Sequence, residues 1–287
     1  MQNNTSLKKL KVVYLFFLLP MMISAQPATD EKNFISGYSD VNGLKMYYEI
    51  HGEGFPLVLI HGGGSTIQST FGRILSSLSQ NHKVIAVEMQ AHGRTKDINR
   101  PLSFAQDADD ISVLLKNLGI PKADIFGFSN GASTTLQMAI RHPDQVNKII
   151  VASTFSKKSG APPWFWEMMS KPTFEQMPKQ LKEAYLAVNP DSSGLMKMYH
   201  RDVARMQSFP DIKDEELKNI HAPALIICGD KDVVTPEHAV EMSKLIPNTQ
   251  LAIFPGGHGD YIGEITTTFD SAVVKGSVSV IENFLKK

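Results

Sequence analysis

Short apolar runs separated by helical patterns are the feature that most constrains this chain. "PLVLIHG" (56–62), "KVIAVEM" (83–89), "ADIFGF" (123–128), "VNKIIVAS" (146–153), "APALIICGD" (222–230) and "TQLAIFPG" (249–256) are apolar at nearly every position. Runs of that kind suit strands covered on both faces, as in a parallel sheet, rather than strands with one wet face. Between them lie segments with helical spacing. Phe104–Leu118 carries Phe104, Ala108, Ile111, Leu114, Leu115 and Leu118, and a helix is expected over Ala132–His142. Pro236–Leu245 opens on proline, and residues 276–286 line up Val278, Ile281, Phe284 and Leu285. Alternation of this sort predicts an α/β chain with a mostly parallel central sheet and helices on both faces. Ahead of it, 34–40 and 44–50 flank Val41-Asn42-Gly43, a hairpin signal.

One segment breaks the alternation. Residues 155–220 show no strand pattern and are rich in aromatic residues and methionine, among them Trp164, Phe165, Trp166, Met168 and Met169. They are expected to form a helical cap inserted between two sheet strands, dividing the core into 26–154 and 221–287. A chain of 287 residues is long enough for such a core.

The first 25 residues have a different character. Lys8, Lys9 and Lys11 precede the apolar run Val12–Leu19, and Ser24-Ala25 follow it. A basic start, a short apolar run and a small-residue exit predict a secretory signal peptide, cleaved after Ala25, and a periplasmic or secreted protein. The run is too short for a comfortable membrane span, so no stable span is expected after cleavage. Cys228 is the only cysteine, which excludes an internal disulfide; it is expected to pack as a small hydrophobe. Lys plus Arg and Asp plus Glu are 29 each. A neutral chain offers no general field for nucleic acid, and no nucleic-acid partner is expected.

In an open α/β sheet, ligands bind beyond the carboxyl ends of the strands. At those ends stand His61-Gly62-Gly63-Gly64, then Ser129 in "GFSNG", then Asp230 and Asp232 in "GDKD", then His258 in "PGGHG". A serine hydroxyl is a poor nucleophile until a base takes its proton, and the flanking glycines allow a turn sharp enough to expose it. No His-Glu-x-x-His spacing and no Gly-x-Gly-x-x-Gly after the first strand occur, so no metal and no dinucleotide are expected.

The serine–acid–histidine order around Gly-x-Ser-x-Gly resembles that of the α/β-hydrolase fold enzymes. The resemblance runs over nearly all of the mature length, through His61–Gly64, "EMQAHGRT" (88–95), "GFSNG", "GDKDVVTP" and "PGGHG". It implies Ser129 as nucleophile, His258 as base and Asp232 as the acid that orients it. The family's Gly-x-x-Asp-x-x-x-Pro spacing matches Gly229, Asp232 and Pro236, leaving Asp230 a turn role. Backbone N–H groups of Asn130 and Gly63 are the expected oxyanion donors, Gly64 being second choice. Gly64, Trp164, Trp166 and Met169 are expected at the substrate pocket. His61 and His92 are read as braces; His51, His82, His142, His200, His221 and His238 read as surface or helix-end residues. The segment "GDYIGEITTTFDSAVVKG" after His258 is long for a plain connection and is expected to form a lip over the site.

The implied activity is a cofactor-independent serine hydrolase acting on a small-molecule carboxylic ester or lactone with an apolar part, a macrolide-type cyclic ester included. Capped relatives that cleave epoxides or carbon–halogen bonds use an aspartate nucleophile, so Ser129 argues against both. A proline-iminopeptidase-like reading would need a cap acid to hold an amino terminus, with Glu167, Glu175 and Glu183 as candidates. A non-catalytic ligand-binding protein of the same fold is the third reading.

Overall fold

The computed structural model describes residues 1–2 and 34–287. The apolar run and the exit of the expected signal peptide lie outside the described residues. The strands are β1 (Phe34–Val41), β2 (Leu44–His51), β3 (Phe55–Ile60), β4 (His82–Glu88), β5 (Ala123–Phe128), β6 (Val146–Ala152), β7 (Ala224–Gly229) and β8 (Thr249–Phe254). They form one 8-stranded sheet in the order β1-β2-β4-β3-β5-β6-β7-β8. β1 and β2 pair antiparallel, as do β2 and β4; every pair from β4 to β8 is parallel. The β1–β2 turn places Asn42 at φ 49° and Gly43 at φ 83°, the left-handed pair that a two-residue hairpin requires.

The helices are α1 (Ile67–Phe71), α2 (Leu75–Leu78), α3 (Phe104–Asn117), α4 (Asn130–Arg141), α5 (Pro163–Ser170), α6 (Lys179–Val188), α7 (Ser192–Gln207), α8 (Asp214–Lys218), α9 (Pro236–Leu245) and α10 (Ser271–Lys286). The period of two along each strand sorts its residues between two cores. On β3, Val58 and Ile60 face one core, with Ile111 of α3, Leu136 of α4 and Met242 of α9. Leu57 and Leu59 face the other, with Phe71 of α1, Leu78 of α2 and Ile281 and Phe284 of α10. The continuous apolar runs are therefore two interleaved faces, each covered by helices.

Three details depart from expectation. β8 is only partly buried, and its Ile253 is 41% exposed, because β8 is the outer strand of the sheet. α4 begins at Asn130, directly after Ser129, and α10 begins at Ser271, where the Asp270 carboxylate caps the N–H groups of Ala272 and Val273. His51, His82 and His238 are buried, each beside a carboxylate: Glu49 at 2.9 Å, Glu282 at 3.3 Å and Glu241 at 2.9 Å. Between β6 and β7 the chain runs through α5–α8 without a strand. Tyr185, Leu195 and Met198 gather there into a small cluster that reaches Ala91. Among the described residues, no helix is long and apolar enough to cross a membrane.

Candidate active site

Ser129 sits where β5 turns into α4, at φ 54° and ψ −120°, a left-handed conformation that costs a non-glycine residue of order 1–3 kcal/mol. The surroundings hold it there. Its N–H donates to the Ala152 carbonyl of β6 at 2.8 Å, so the strain is pinned by the neighbouring strand. The turn also needs bare backbone on both sides. A Cβ on Gly127 would stand 2.1 Å from the Gly131 carbonyl oxygen, and one on Gly131 would stand 2.1 Å from that of Ile60. The two glycines of the sequence motif are thus the places where strand, turn and helix approach too closely for a side chain.

His258 and Asp232 arrive from the ends of β8 and β7. His258 Nε2 lies 3.0 Å from Ser129 Oγ, and its Nδ1 lies 2.7 Å from Asp232 Oδ1. Asp232 has a fully buried side chain, yet its carboxylate is well supplied with donors: the N–H groups of Val233 at 2.6 Å and Gly229 at 3.3 Å, and the Ser153 hydroxyl. Burial alone would raise the Asp232 pKa; His258 and these donors outweigh it, and the pKa is lowered. Burial alone would lower the His258 pKa; the Asp232 carboxylate outweighs that, and the pKa is raised. Asp230 instead accepts the Gly256 N–H at 2.8 Å, tying the loop after β7 to the loop after β8.

Two members of this arrangement were not singled out in the sequence. Ser153, at φ 54° just past β6, donates to Asp232 and lies 2.7 Å from the hydroxyl of Tyr261. Tyr261 is fully buried. It belongs to the segment expected to form a lip; instead Tyr261 and Ile262 turn inward and pack in the core under α10. The strand-end rule that picked out Ser129 also points to Ser153. Nothing in the local pattern marks Tyr261.

The loop after β3 is braced from behind. His61 Nε2 accepts the Met89 N–H at 3.1 Å and its Nδ1 donates to the Gly62 carbonyl at 2.7 Å. Burial, with help from the charge on His92, pushes the His61 pKa down to about 3, so this ring is neutral. Gly63 and Asn130 both line the cavity beside Ser129. Gly64 differs from expectation: its N–H donates at 2.6 Å to Asp202, a residue of α7, and is not free for a substrate oxygen. Asp202 also meets His92 Nε2 at 2.8 Å and the guanidinium of Arg205, which reaches on to Asp107 at 2.8 Å. Burial works against ionising Asp202, but His92, Arg205 and these hydrogen bonds hold its carboxyl well below the usual range. Asp107, more deeply enclosed, is pushed up by burial to about 6.

Two cavities meet at Ser129. One, of ≈ 280 Å³, is walled by Met169, Met177, Leu181, Met198 and Met206 together with Gly63, Gly64 and Asn130. The other, of ≈ 250 Å³, is walled by Thr154, Phe155, Trp164, Phe209 and His258. Met169 and Trp164 therefore stand where a substrate would lie. Trp166 lines neither cavity. Its indole N–H donates to the Lys158 carbonyl at 2.7 Å and its ring packs on Phe155 and Phe209, a structural contact. Glu167, Glu175 and Glu183 are exposed and line neither cavity. Cys228 is fully buried, and burial pushes its thiol up to about 12. Among the described residues, no group of three or more His, Cys, Asp or Glu could hold a metal ion.

Known proteins resemble this chain in sequence and fold. A family model for the alpha/beta hydrolase fold matches residues 56–196. A pimeloyl-[acyl-carrier protein] methyl ester esterase of Neisseria meningitidis is 28% identical, over 62% of this chain and 75% of that protein. A proline iminopeptidase of the same species is 24% identical, over 88% of this chain and 96% of that protein. The solved structure of the enol-lactonase from Burkholderia xenovorans superposes with a TM-score of 0.70 at 20% identity, covering 88% of this chain and 100% of that one. The strand order, the serine turn between β5 and α4, and these matches agree: the chain has the α/β-hydrolase fold.

Proposed function

We propose that the protein is a serine hydrolase that cleaves a small carboxylic ester or lactone through an acyl-enzyme on Ser129. The observation that carries this reading is the line Ser129 Oγ–His258–Asp232, set where two mainly apolar cavities meet. Ser129 Oγ attacks the scissile carbonyl carbon while His258 Nε2 takes its proton. Asp232 stabilises the imidazolium that results. The backbone N–H groups of Gly63 and Asn130 receive the negative oxygen of the tetrahedral intermediate. As it collapses, His258 returns the proton to the leaving alkoxide, and Ser129 keeps the acyl group. A water then gives a proton to His258 as it attacks the acyl carbon. Collapse of that intermediate breaks the bond to Ser129 Oγ, which takes the proton back from His258, and the acid leaves.

The cavity walls favour a substrate with an apolar part. Each cavity falls just below the range for ligand pockets, roughly 300–1,000 Å³, which favours a modest ester or lactone over a macrolide-type ring. The ester reading agrees with the methyl ester esterase and enol-lactonase likenesses. A peptidase reading rests on the iminopeptidase likeness but finds no free acid in the cavities: Asp202 lines one of them and is committed to Gly64, His92 and Arg205. We also propose that the protein is exported, on the strength of its N-terminal sequence alone.

Labelling with a fluorophosphonate probe, followed by turnover of nitrophenyl esters of rising chain length, tests the reading. Wild-type protein should be labelled and active, and Ser129→Ala should lose both. Folded protein that takes no label and turns over no ester would remove the hydrolase reading and leave a ligand-binding role.

A further inference from the structure

The residue after the nucleophile carries more than a backbone donor. Asn130 lines both cavities that meet at Ser129, and its carboxamide makes no hydrogen bond among the described residues. It stands where a side chain at position 63 would otherwise be. A Cβ on Gly63 would lie 2.4 Å from Asn130 Nδ2 and 3.3 Å from its Cγ. The glycine at 63 and the asparagine at 130 are thus one steric solution: the loop gives up a side chain and a carboxamide fills the space.

A carboxamide offers two N–H donors and an accepting oxygen. Of the other polar groups of the same walls, Ser133, Thr154 and Asp202 are occupied, while the buried Tyr199 hydroxyl of the first cavity makes no hydrogen bond among the described residues. Ser133 and Thr154 bond each other at 2.7 Å, and Asp202 is held by Gly64, His92 and Arg205. Met169, Met177, Leu181 and Met198 supply no partner. A purely apolar ester closing over Asn130 would strip water from its carboxamide and return nothing, a cost that a hydrogen-bonding substrate avoids. The position sets the place of that group. Asn130 adjoins Ser129 in the chain and its backbone N–H is the assigned oxyanion donor, so its short side chain lies close to where the reacting carbonyl would sit.

We infer that the Asn130 carboxamide recognises a hydrogen-bonding substituent on the carbon next to the scissile carbonyl, so that the substrate class is an α-hydroxy, α-oxo or α-acylamino ester or lactone. This rests on the hydrolase reading above. A site built to bond such a group discriminates against the analogue that lacks it.

The test compares kcat/KM of the purified protein on nitrophenyl butyrate and on its α-hydroxy counterpart, each divided by its rate of alkaline hydrolysis. The wild-type ratio should favour the α-hydroxy ester by about tenfold or more, the size of one hydrogen bond to a substrate. Asn130→Ala should bring the ratio close to one, and so should Gly63→Ala, whose methyl group would displace the carboxamide; Asn130→Gln should restore part of it. Using a ratio removes any loss of overall activity or folded fraction from the reading. A wild-type ratio near one, or an unchanged ratio in Asn130→Ala, overturns the inference while leaving ester hydrolysis standing. If Ser129→Ala hydrolyses both esters as fast as wild type, the hydrolase reading fails and the inference falls with it.

Discussion

Behind Asp232 stand the hydroxyls of Ser153 and Tyr261, and Asp232 in turn governs how the histidine titrates. Ser153 donates to Asp232 and meets Tyr261 at 2.7 Å, so the carboxylate faces His258 on one side and a buried hydroxyl pair on the other. His258 must be neutral to take the Ser129 proton, and its pKa is raised by Asp232. The acid limb of kcat/KM against pH should therefore lie above the ordinary histidine value of about 6.5. Asp232→Asn removes the charge that holds the imidazolium, so that limb should move to lower pH while kcat falls steeply. Ser153→Ala leaves Asp232 its backbone donors and one hydrogen bond short; kcat should drop by about tenfold with KM nearly constant, at roughly 1.4 kcal/mol for one hydrogen bond to a charged group. Equal losses in kcat and in folded fraction for Ser153→Ala would mark it as merely structural. Ser129, Asp232 and His258 were legible because their chemistry fixes both residue type and place at a strand end. Tyr261 was not, since a tyrosine in a long loop gives no sign of which way it turns.

α7 is the element that ties the helical insert to the catalytic floor. Asp202 reaches from it to the Gly64 N–H and to His92, while Arg205 reaches Asp107 of α3. Helical spacing announced none of this: α7 reads as an ordinary amphipathic helix, and its partners lie 138 and 98 residues away in the chain. Asp202→Ala would leave His92 without its buried counter-charge and Arg205 with Asp107 alone. Loss of one member of such a network costs about 3–5 kcal/mol, which a urea unfolding curve should register. The insert was legible as a break in the strand–helix alternation. The division of its aromatic residues between cavity and packing was not, because Trp164 and Trp166 differ only in which way a short helix turns them.

Across the whole molecule the sheet was the most legible part, since strands covered on both faces must be apolar throughout. What a one-dimensional pattern omits is order: it does not say that β8 lies outermost, which is why Ile253 is exposed despite its apolar run. Phe126 shows the weight each face carries. It is fully buried on β5, the strand that delivers Ser129, and lies 5.3 Å from the ring of Phe71. Phe126→Ala should cost about 3–5 kcal/mol by calorimetry or denaturant unfolding, with labelling of Ser129 retained in whatever fraction stays folded. The Asp202 clamp also bears on how such enzymes diversify. A lid exchanged for one without a carboxylate at position 202 would leave the Gly64 loop unfastened from above and His92 without its counter-charge. Chimeras of this chain should therefore recover function only when position 202 and the loop at 61–64 travel together as a single inherited block.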